Sequence, residues 1–234
     1  MSLEISIHKA QTSILRELLF RPEAGYTELQ KPTALTSDHF NFHIKRLAEL
    51  GLVQKTASGH YRLTTRGKEY ANKLDTDSNT IERQPKVSVI MVIWRDHSHH
   101  EFLLQERLKN PYFGFWGYPT GKMRWGETVL AAAERELQEE TGLSGGFEFH
   151  GIYHEHACSS TGRELLEDKL FLVTSVTAPT GTLRDEVGCH NEWVDLKRAR
   201  QFEKTFPGFG TVQDIISGVT VLAEHQRQYR DDQF

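Results

Sequence analysis

Residues 121–143 read GKMRWGETVLAAAERELQEETGL. The spacing predicts a helix from Thr128 to Thr141, because Ala131, Ala132 and Ala133 are strong helix formers and Gly142 stands where helices commonly end. Glu136, Glu139 and Glu140 fall at i, i+3 and i+4 and share one face. At about 100° per residue, Val129, Ala132 and Ala133 lie within about 60° of Glu136. Ala131, Glu134, Arg135 and Gln138 lie on the other side. The carboxylates therefore interrupt the apolar stripe and are expected to face the body of the protein. A solvated acidic surface, the ordinary reading of such a cluster, does not account for that placement. The cluster also occupies the last turns, where the helix dipole disfavours each negative charge by about 0.3–1 kcal/mol and like charges repel. Hard oxygen donors crowded there suit a divalent cation that keeps room for water and phosphate, Mg²⁺ or Mn²⁺ in its place.

Working outward, the chain divides. Asp75 to Lys86 (DTDSNTIERQPK) is polar, contains Pro85 and reads as a linker, leaving domains at 1–74 and 87–234. The run Val87-Ser88-Val89-Ile90-Met91-Val92-Ile93-Trp94 beyond it fits a strand covered on both faces. Residues 1–74 hold eleven Lys/Arg against seven Asp/Glu, a net +4, whereas the remainder is net −8. Ordinary surface variation accounts for this as readily as a polyanion partner for the front and a cation for the back. With 38% hydrophobic and 26% charged residues the 234-residue chain is of ordinary globular composition, not disordered or fibrous. No apolar stretch reaches the roughly 18 residues of a membrane span, and MSLEISIHKA lacks the apolar core of a signal peptide. Two cysteines, Cys158 and Cys189, are too few for a disulfide framework. The expectation is a cytoplasmic protein.

In the front part, Ile7, Ile14, Leu15, Leu18 and Leu19 predict a helix stopping near Pro22, and Tyr26–Gln30 a second. Ser37 or Asp38 can cap a third, whose Phe40, Ile44, Leu47 and Leu50 make one buried stripe ending at Gly51. Two short strands, 52–56 and 60–64, joined by Ala57-Ser58-Gly59, predict a hairpin, followed by a helix over 65–74. The segments SDHFNFHIKRLAELGLVQK and GHYRLTTRG resemble the third helix and wing of bacterial winged-helix regulators. That resemblance implies a small α+β domain that binds DNA, or else docks protein or dimerises. His39, Asn41, Phe42, Lys45 and Arg46 are left pointing out of the third helix and can reach bases and phosphates. Lys55, His60 and Arg62 on the wing add backbone contacts.

The order Gly121, five residues, Glu127, seven residues, Arg135-Glu136-Leu137, one residue, Glu139-Glu140, one residue, Gly142-Leu143 resembles the Nudix box at every fixed position. The lead-in Trp116-Gly117-Tyr118-Pro119-Thr120 is similar too, with Thr120 where a second glycine is common. The resemblance extends over roughly 85–234. It implies an α/β/α sandwich with a mixed sheet, the box forming a loop–helix–loop at the sheet edge. By the same resemblance Glu136, Glu139 and Glu140 bind Mg²⁺ or Mn²⁺, with Glu140 or Glu139 helping to activate water and the Thr120 carbonyl a further ligand. Glu127 and Arg135 orient the helix. A further carboxylate ligand is expected from a loop before Glu192-Trp193-Val194, with Glu186 preferred and Asp185 and Glu192 competing. Arg107 stands where relatives place a basic residue near substrate phosphates; a surface role fits equally.

Smaller clues carry less. Trp116 and Tyr118, in an aromatic-rich loop with Tyr112, Phe113 and Phe115, can stack on a base or cover the core. His154, His156 and Cys158 alternate, but no fourth zinc ligand follows at a recognisable spacing, so an ordinary strand is expected. His97, His99 and His100 fit a solvated hairpin tip. Residues 211–230 read as an amphipathic helix over Phe202, Phe206 and Phe209. The functional expectation is a metal-dependent pyrophosphohydrolase acting on a nucleoside diphosphate linked to another group, with a winged helix that binds DNA and homodimerisation by analogy. The alternative is a transcriptional regulator that senses such a ligand without cutting it. All box carboxylates are kept, which favours catalysis.

Overall fold

The computed structural model describes residues 7–75, 77, 80, 81, 83–230 and 232–234 and divides between Arg83 and Gln84 into two compact units. The first contains α1 (Lys9–Phe20), α2 (Tyr26–Gln30) and α3 (Ser37–Glu49). Phe40, Ile44 and Leu47 of α3 are buried in one core with Ile14, Leu15, Leu18 and Leu29. The N-cap of α3 is Thr36, not Ser37 or Asp38: its extended backbone precedes the first turn, and its carbonyl accepts from Phe40 N at 2.9 Å. Strands β1 (Val53–Lys55) and β2 (Tyr61–Leu63) form an antiparallel hairpin, and α4 (Thr65–Ala71) follows. Strand β3 (Leu74–Asp75) pairs with β4 (Thr80–Ile81), so part of the stretch expected as linker is laddered backbone.

The second unit runs β5 (Lys86–Trp94), β6 (Phe102–Arg107), β7 (Trp116–Gly117), β8 (Thr120–Lys122), α5 (Val129–Thr141) and β9 (Leu143–Ser144). It continues with β10 (Glu148–Ser159), β11 (Leu165–Thr177), β12 (Thr180–Gly181), β13 (Cys189–Val194), α6 (Leu196–Ala199), α7 (Phe209–Ile216) and β14 (Leu222–Tyr229). The mixed sheet has the order β13-β6-β5-β11-β10-β14, with β7 on β6 and β8 on β5. Strand β5 is parallel to β11, and β10 to β14; β10–β11, β5–β6 and β6–β13 are antiparallel. The apolar run of β5 is explained by its two covered faces. Val89, Met91 and Ile93 pack with Ala132, Ala133 and Leu137 of α5. Ile90 and Val92 pack with Val212 and Ile215 of α7. Helices on both faces of a mixed sheet make the expected α/β/α arrangement.

The tail differs from expectation. A helix covers only Phe209–Ile216; Gly218 then takes φ +76°, and the β-branched run Val219-Thr220-Val221 leads into β14. β-Branched residues fit a pleated edge better than a helix, and β14 finds β10 to pair with.

Candidate active site

The residues around α5 assemble from four segments. Thr128 caps the helix by accepting from Ala131 N at 3.4 Å, and Gly142 closes it with a left-handed turn. Just before it, Glu127 accepts a two-pronged grip from Arg135, Nε to Oε1 at 2.5 Å and Nη2 to Oε2 at 2.8 Å. Arg135 also reaches Glu136 Oε1 (2.6 Å), Glu139 Oε2 (3.0 Å) and the Lys122 carbonyl (3.0 Å). One guanidinium thus ties the loop before the helix to two of its carboxylates. Fork-on-carboxylate pairs of this kind fix orientation as well as charge. Their hydrogen bonds hold the Glu127 carboxyl down to about 2 and raise Arg135 further above its ordinary range.

The three helix carboxylates have different surroundings. The Glu136 side chain is nearly covered (12% exposed) and lies over Gly121, where a Cβ would come within 2.0 Å of Glu136 Cγ. Glu139 is exposed, contrary to the inward-facing expectation. It sits at the rim of the stripe, where Arg124 Nη2 holds both its oxygens at 3.0 and 2.9 Å. Desolvation raises its pKa, but the bonds from Arg135 and Arg124 outweigh that and leave it lowered. Glu140 is half-buried and accepts from the neutral amide Gln105 Nε2 at 3.2 Å. Desolvation raises its pKa, the Gln105 bond opposes this only partly, and the charge of Glu136 adds to the rise. Gln105 in turn reaches Asn191 Oδ1 (3.2 Å), whose amide nitrogen donates to the Glu140 and Arg184 carbonyls at 2.9 Å.

Glu136, Glu139, Glu140 and Glu186 line one cleft with Lys109 and Arg184. The competitors of Glu186 are engaged elsewhere. Asp185 accepts from Asn191 N (2.7 Å) and meets His190 Nδ1 (2.8 Å), and Glu192 pairs with Arg198 Nε (2.9 Å). Glu136 and Glu140 also border a cavity of about 580 Å³ that Thr120, Arg107 and Tyr118 line. The Cys189 thiol also lines the cleft, its pKa raised by burial; the four carboxylates, with cations at the rim, make a hard-oxygen donor set that fits Mg²⁺ or Mn²⁺.

Residues 84–212 match the sequence profile of the NUDIX domain. The chain belongs to the NUDIX family. The chain is 36% identical over 87 residues to an ADP-ribose pyrophosphatase of Methanocaldococcus jannaschii, covering 36% of this chain and 50% of that protein. It is 44% identical over 48 residues to an 8-oxo-dGTP diphosphatase of Proteus vulgaris, covering 20% of this chain and 43% of that one. The chain spans about half the length of the curated relatives it matches. Among solved structures, the NUDIX domain of Shewanella oneidensis NrtR complexed with ADP ribose superposes with a TM-score of 0.50. The identity is 17%, over 68% of this chain and all of that one, which establishes a shared fold.

Within the NUDIX domain the three residues expected near the substrate divide. Trp116 does not line the cavity: it stacks on Phe202 at 4.0 Å and 3° and is 9% exposed, a core residue between β7 and the segment before α7. Tyr118 does line the cavity, but one ring face stacks on Phe209 at 4.8 Å and its hydroxyl meets Gln213. Arg107 borders the cavity while donating to the Pro111 carbonyl at 2.5 Å. Missing from the sequence reading were Gln105, Asn191 and Arg124, and also the cavity pair Lys86 and Lys169, which grip buried Glu167. Arg124 stands inside the box, Gln105 two residues before Arg107 and Asn191 directly before Glu192-Trp193-Val194, so these three lay beside a signal. In the first unit Phe42 is 66% exposed, and His39, Lys45, Arg46, Lys55, His60 and Arg62 are exposed while Asn41 is half-buried; Arg46 pairs with Glu49 at 3.2 Å and Arg62 with Glu23 at 3.9 Å. No described helix is long and apolar enough to cross a membrane.

Proposed function

We propose that this chain is a divalent-metal-dependent pyrophosphohydrolase acting on a nucleoside diphosphate linked to another group, of which ADP-ribose is the first to test. The carrying observation is the cleft that brings together the carboxylates of Glu136, Glu139, Glu140 and Glu186, with the Arg135–Glu127 fork holding the helix. Glu136, Glu139 and Glu140 would hold Mg²⁺ or Mn²⁺, joined by Glu186 and the Thr120 carbonyl. Such an ion, when bound, neutralises phosphate charge and lowers the pKa of a water that attacks phosphorus. Arg107 and Lys109 supply positive charge for phosphate oxygens at the cavity edge. Glu140 is the proton acceptor in this scheme. It receives its hydrogen bond from a neutral amide, whereas both oxygens of Glu139 are occupied by guanidinium groups. Arg135 and Glu127 position the helix and touch no reacting atom.

The first unit, in this reading, is a winged-helix domain that binds DNA through His39, Asn41, Phe42, Lys45 and Arg46 of α3 and through Lys55, His60 and Arg62 of the hairpin. The exposed cationic residues on both elements support it. A regulator that binds its nucleotide without turnover is favoured by one observation, the fold shared with an ADP-ribose-bound NrtR domain. A panel of nucleoside diphosphate derivatives incubated with Mg²⁺ separates the two. Nucleoside monophosphate release supports the hydrolase; saturable binding with no product makes the chain a sensor. A gel-shift with the protein's own promoter DNA at low and raised salt tests the first unit, since phosphate contacts weaken with salt. Absence of any retained fragment at low salt removes the DNA reading.

A further inference from the structure

On a strand, alternate residues face opposite sides of the sheet. Tyr153 and Glu155 of β10, with Glu167, Lys169 and Phe171 of β11, line the large cavity. His154, His156 and Asp168, the residues between them, therefore point to the other side. The register brings these together: His156 lies opposite Asp168 across the antiparallel ladder, and His154 lies beside Glu224 on parallel β14. His154 Nε2 is 2.8 Å from Asp168 Oδ1, and His156 Nε2 is 3.6 Å from the same oxygen. The two imidazole rings meet edge to face, 4.5 Å apart at 75°. One ligating atom from each of the three residues lies within 4.8 Å of the other two. Cys158, the third alternating residue of the sequence, is not part of this group. A bulge between Ala157 and Cys158 breaks the alternation, and the thiol is buried against Gln226. Asp168 and Glu224 take the places that the sequence spacing could not supply.

We propose that His154, His156 and Asp168 form a binding site for a divalent transition metal, zinc being the one the donor set favours, with Glu224 orienting His154. Zinc–nitrogen and zinc–oxygen bonds of about 2.0–2.1 Å in tetrahedral geometry place ligand atoms about 3.3–3.4 Å apart, between the two separations found here. Glu224 Oε1 lies 3.2 Å from His154 Nδ1. A carboxylate on the second ring nitrogen fixes the tautomer and turns Nε2 toward the ion. With its Nδ1 proton donated to Glu224, the ring coordinates zinc through Nε2, and any proton carried on Nε2 leaves to solvent. Two imidazoles and one carboxylate leave a fourth position for water, and the partial exposure of His156 and Asp168 gives the ion a path in. Borderline nitrogen donors distinguish this site from the four-carboxylate cleft beside α5, which suits magnesium. Bound zinc would cross-link β10 and β11 on a face separate from the hydrolytic cavity.

Equilibrium dialysis of the full chain against Zn²⁺ in excess Mg²⁺, followed by elemental analysis, tests the proposal. One retained zinc per chain is expected in the wild type and in Glu140→Gln. His156→Ala and Asp168→Asn are expected to lose it, and Glu224→Gln to bind it about 10- to 100-fold more weakly. Both ligand positions are partly exposed, so the metal-free variants should melt as the metal-free wild type does. Co²⁺ substituted for Zn²⁺ should give the visible absorption of a tetrahedral nitrogen–oxygen site, absent in His156→Ala. Zinc retained equally by His156→Ala and Asp168→Asn, zinc lost only in Glu140→Gln, or no zinc retained by the wild type would each overturn the site.

Discussion

Gly121 lies directly beneath the side chain of Glu136: a methyl group on its Cα would stand 2.0 Å from Cγ and 2.1 Å from Cδ of that carboxylate. The first position of the box is therefore steric in purpose. Gly121→Ala should drive Glu136 out of the cleft while α5, anchored by Ala132, Ala133 and Leu137, stays folded. Hydrolysis in Mg²⁺ should fall by at least about 100-fold, the cost of a mispositioned group, with an unchanged far-ultraviolet circular dichroism spectrum. Full activity in the folded variant would show that Glu136 is not needed where it stands.

Arg135 binds Glu127 through two nitrogens and also holds Glu136 and Glu139. Lysine keeps the charge and loses the fork. Arg135→Lys should raise the Mg²⁺ concentration that supports half-maximal turnover about 10- to 100-fold, as losses of orienting partners do. Adding Glu127→Gln should cost little more, because the pair acts as one unit. Magnesium titration of turnover in the single and double variants checks both statements; additive losses would mean that the two residues act separately.

Trp116, stacked on Phe202 and 9% exposed, is structural. Trp116→Ala should destabilise the chain by about 3–5 kcal/mol. The fall should appear in thermal unfolding, and KM measured well below the transition should hold. A raised KM at unchanged stability would return Trp116 to the substrate.

Glu167 joins Lys86 Nζ (2.7 Å), Lys169 and the Tyr112 hydroxyl (3.0 Å). Desolvation raises its pKa, but the two lysines prevail and hold it below its ordinary 4.5. A lowered folded-state pKa adds stability above the unfolded value and loses it as pH falls through the folded one. Glu167→Gln should thus melt below the wild type at neutral pH, and the gap should close as pH drops below about 4.5. A gap that stays constant into acid would deny the carboxylate its ionic role.

Much of this was legible in the residues, for local reasons. The α5 helix, its Gly142 stop and the twice-covered β5 follow from propensity and run length. The exposure of Glu139 did not, because it stands at the edge of the apolar stripe and two arginines draw it outward. Strand β14 was hidden because its pattern suits a helix until β10 offers an edge. Contacts such as Lys86 with Glu167, or His154 with Glu224, join residues 81 and 70 positions apart. Only the sheet order makes them neighbours.

On the proposed reading, Glu136, Glu139 and Glu140 hold a hard divalent ion that hydrolysis requires. Calorimetric titration of Mg²⁺ into the full chain and into Glu140→Gln, with turnover of ADP-ribose followed in the same samples, tests it most directly. Saturable Mg²⁺ binding and Mg²⁺-dependent AMP release are expected in the wild type, both severely reduced in Glu140→Gln. Identical Mg²⁺ binding and identical turnover in the two proteins would contradict it.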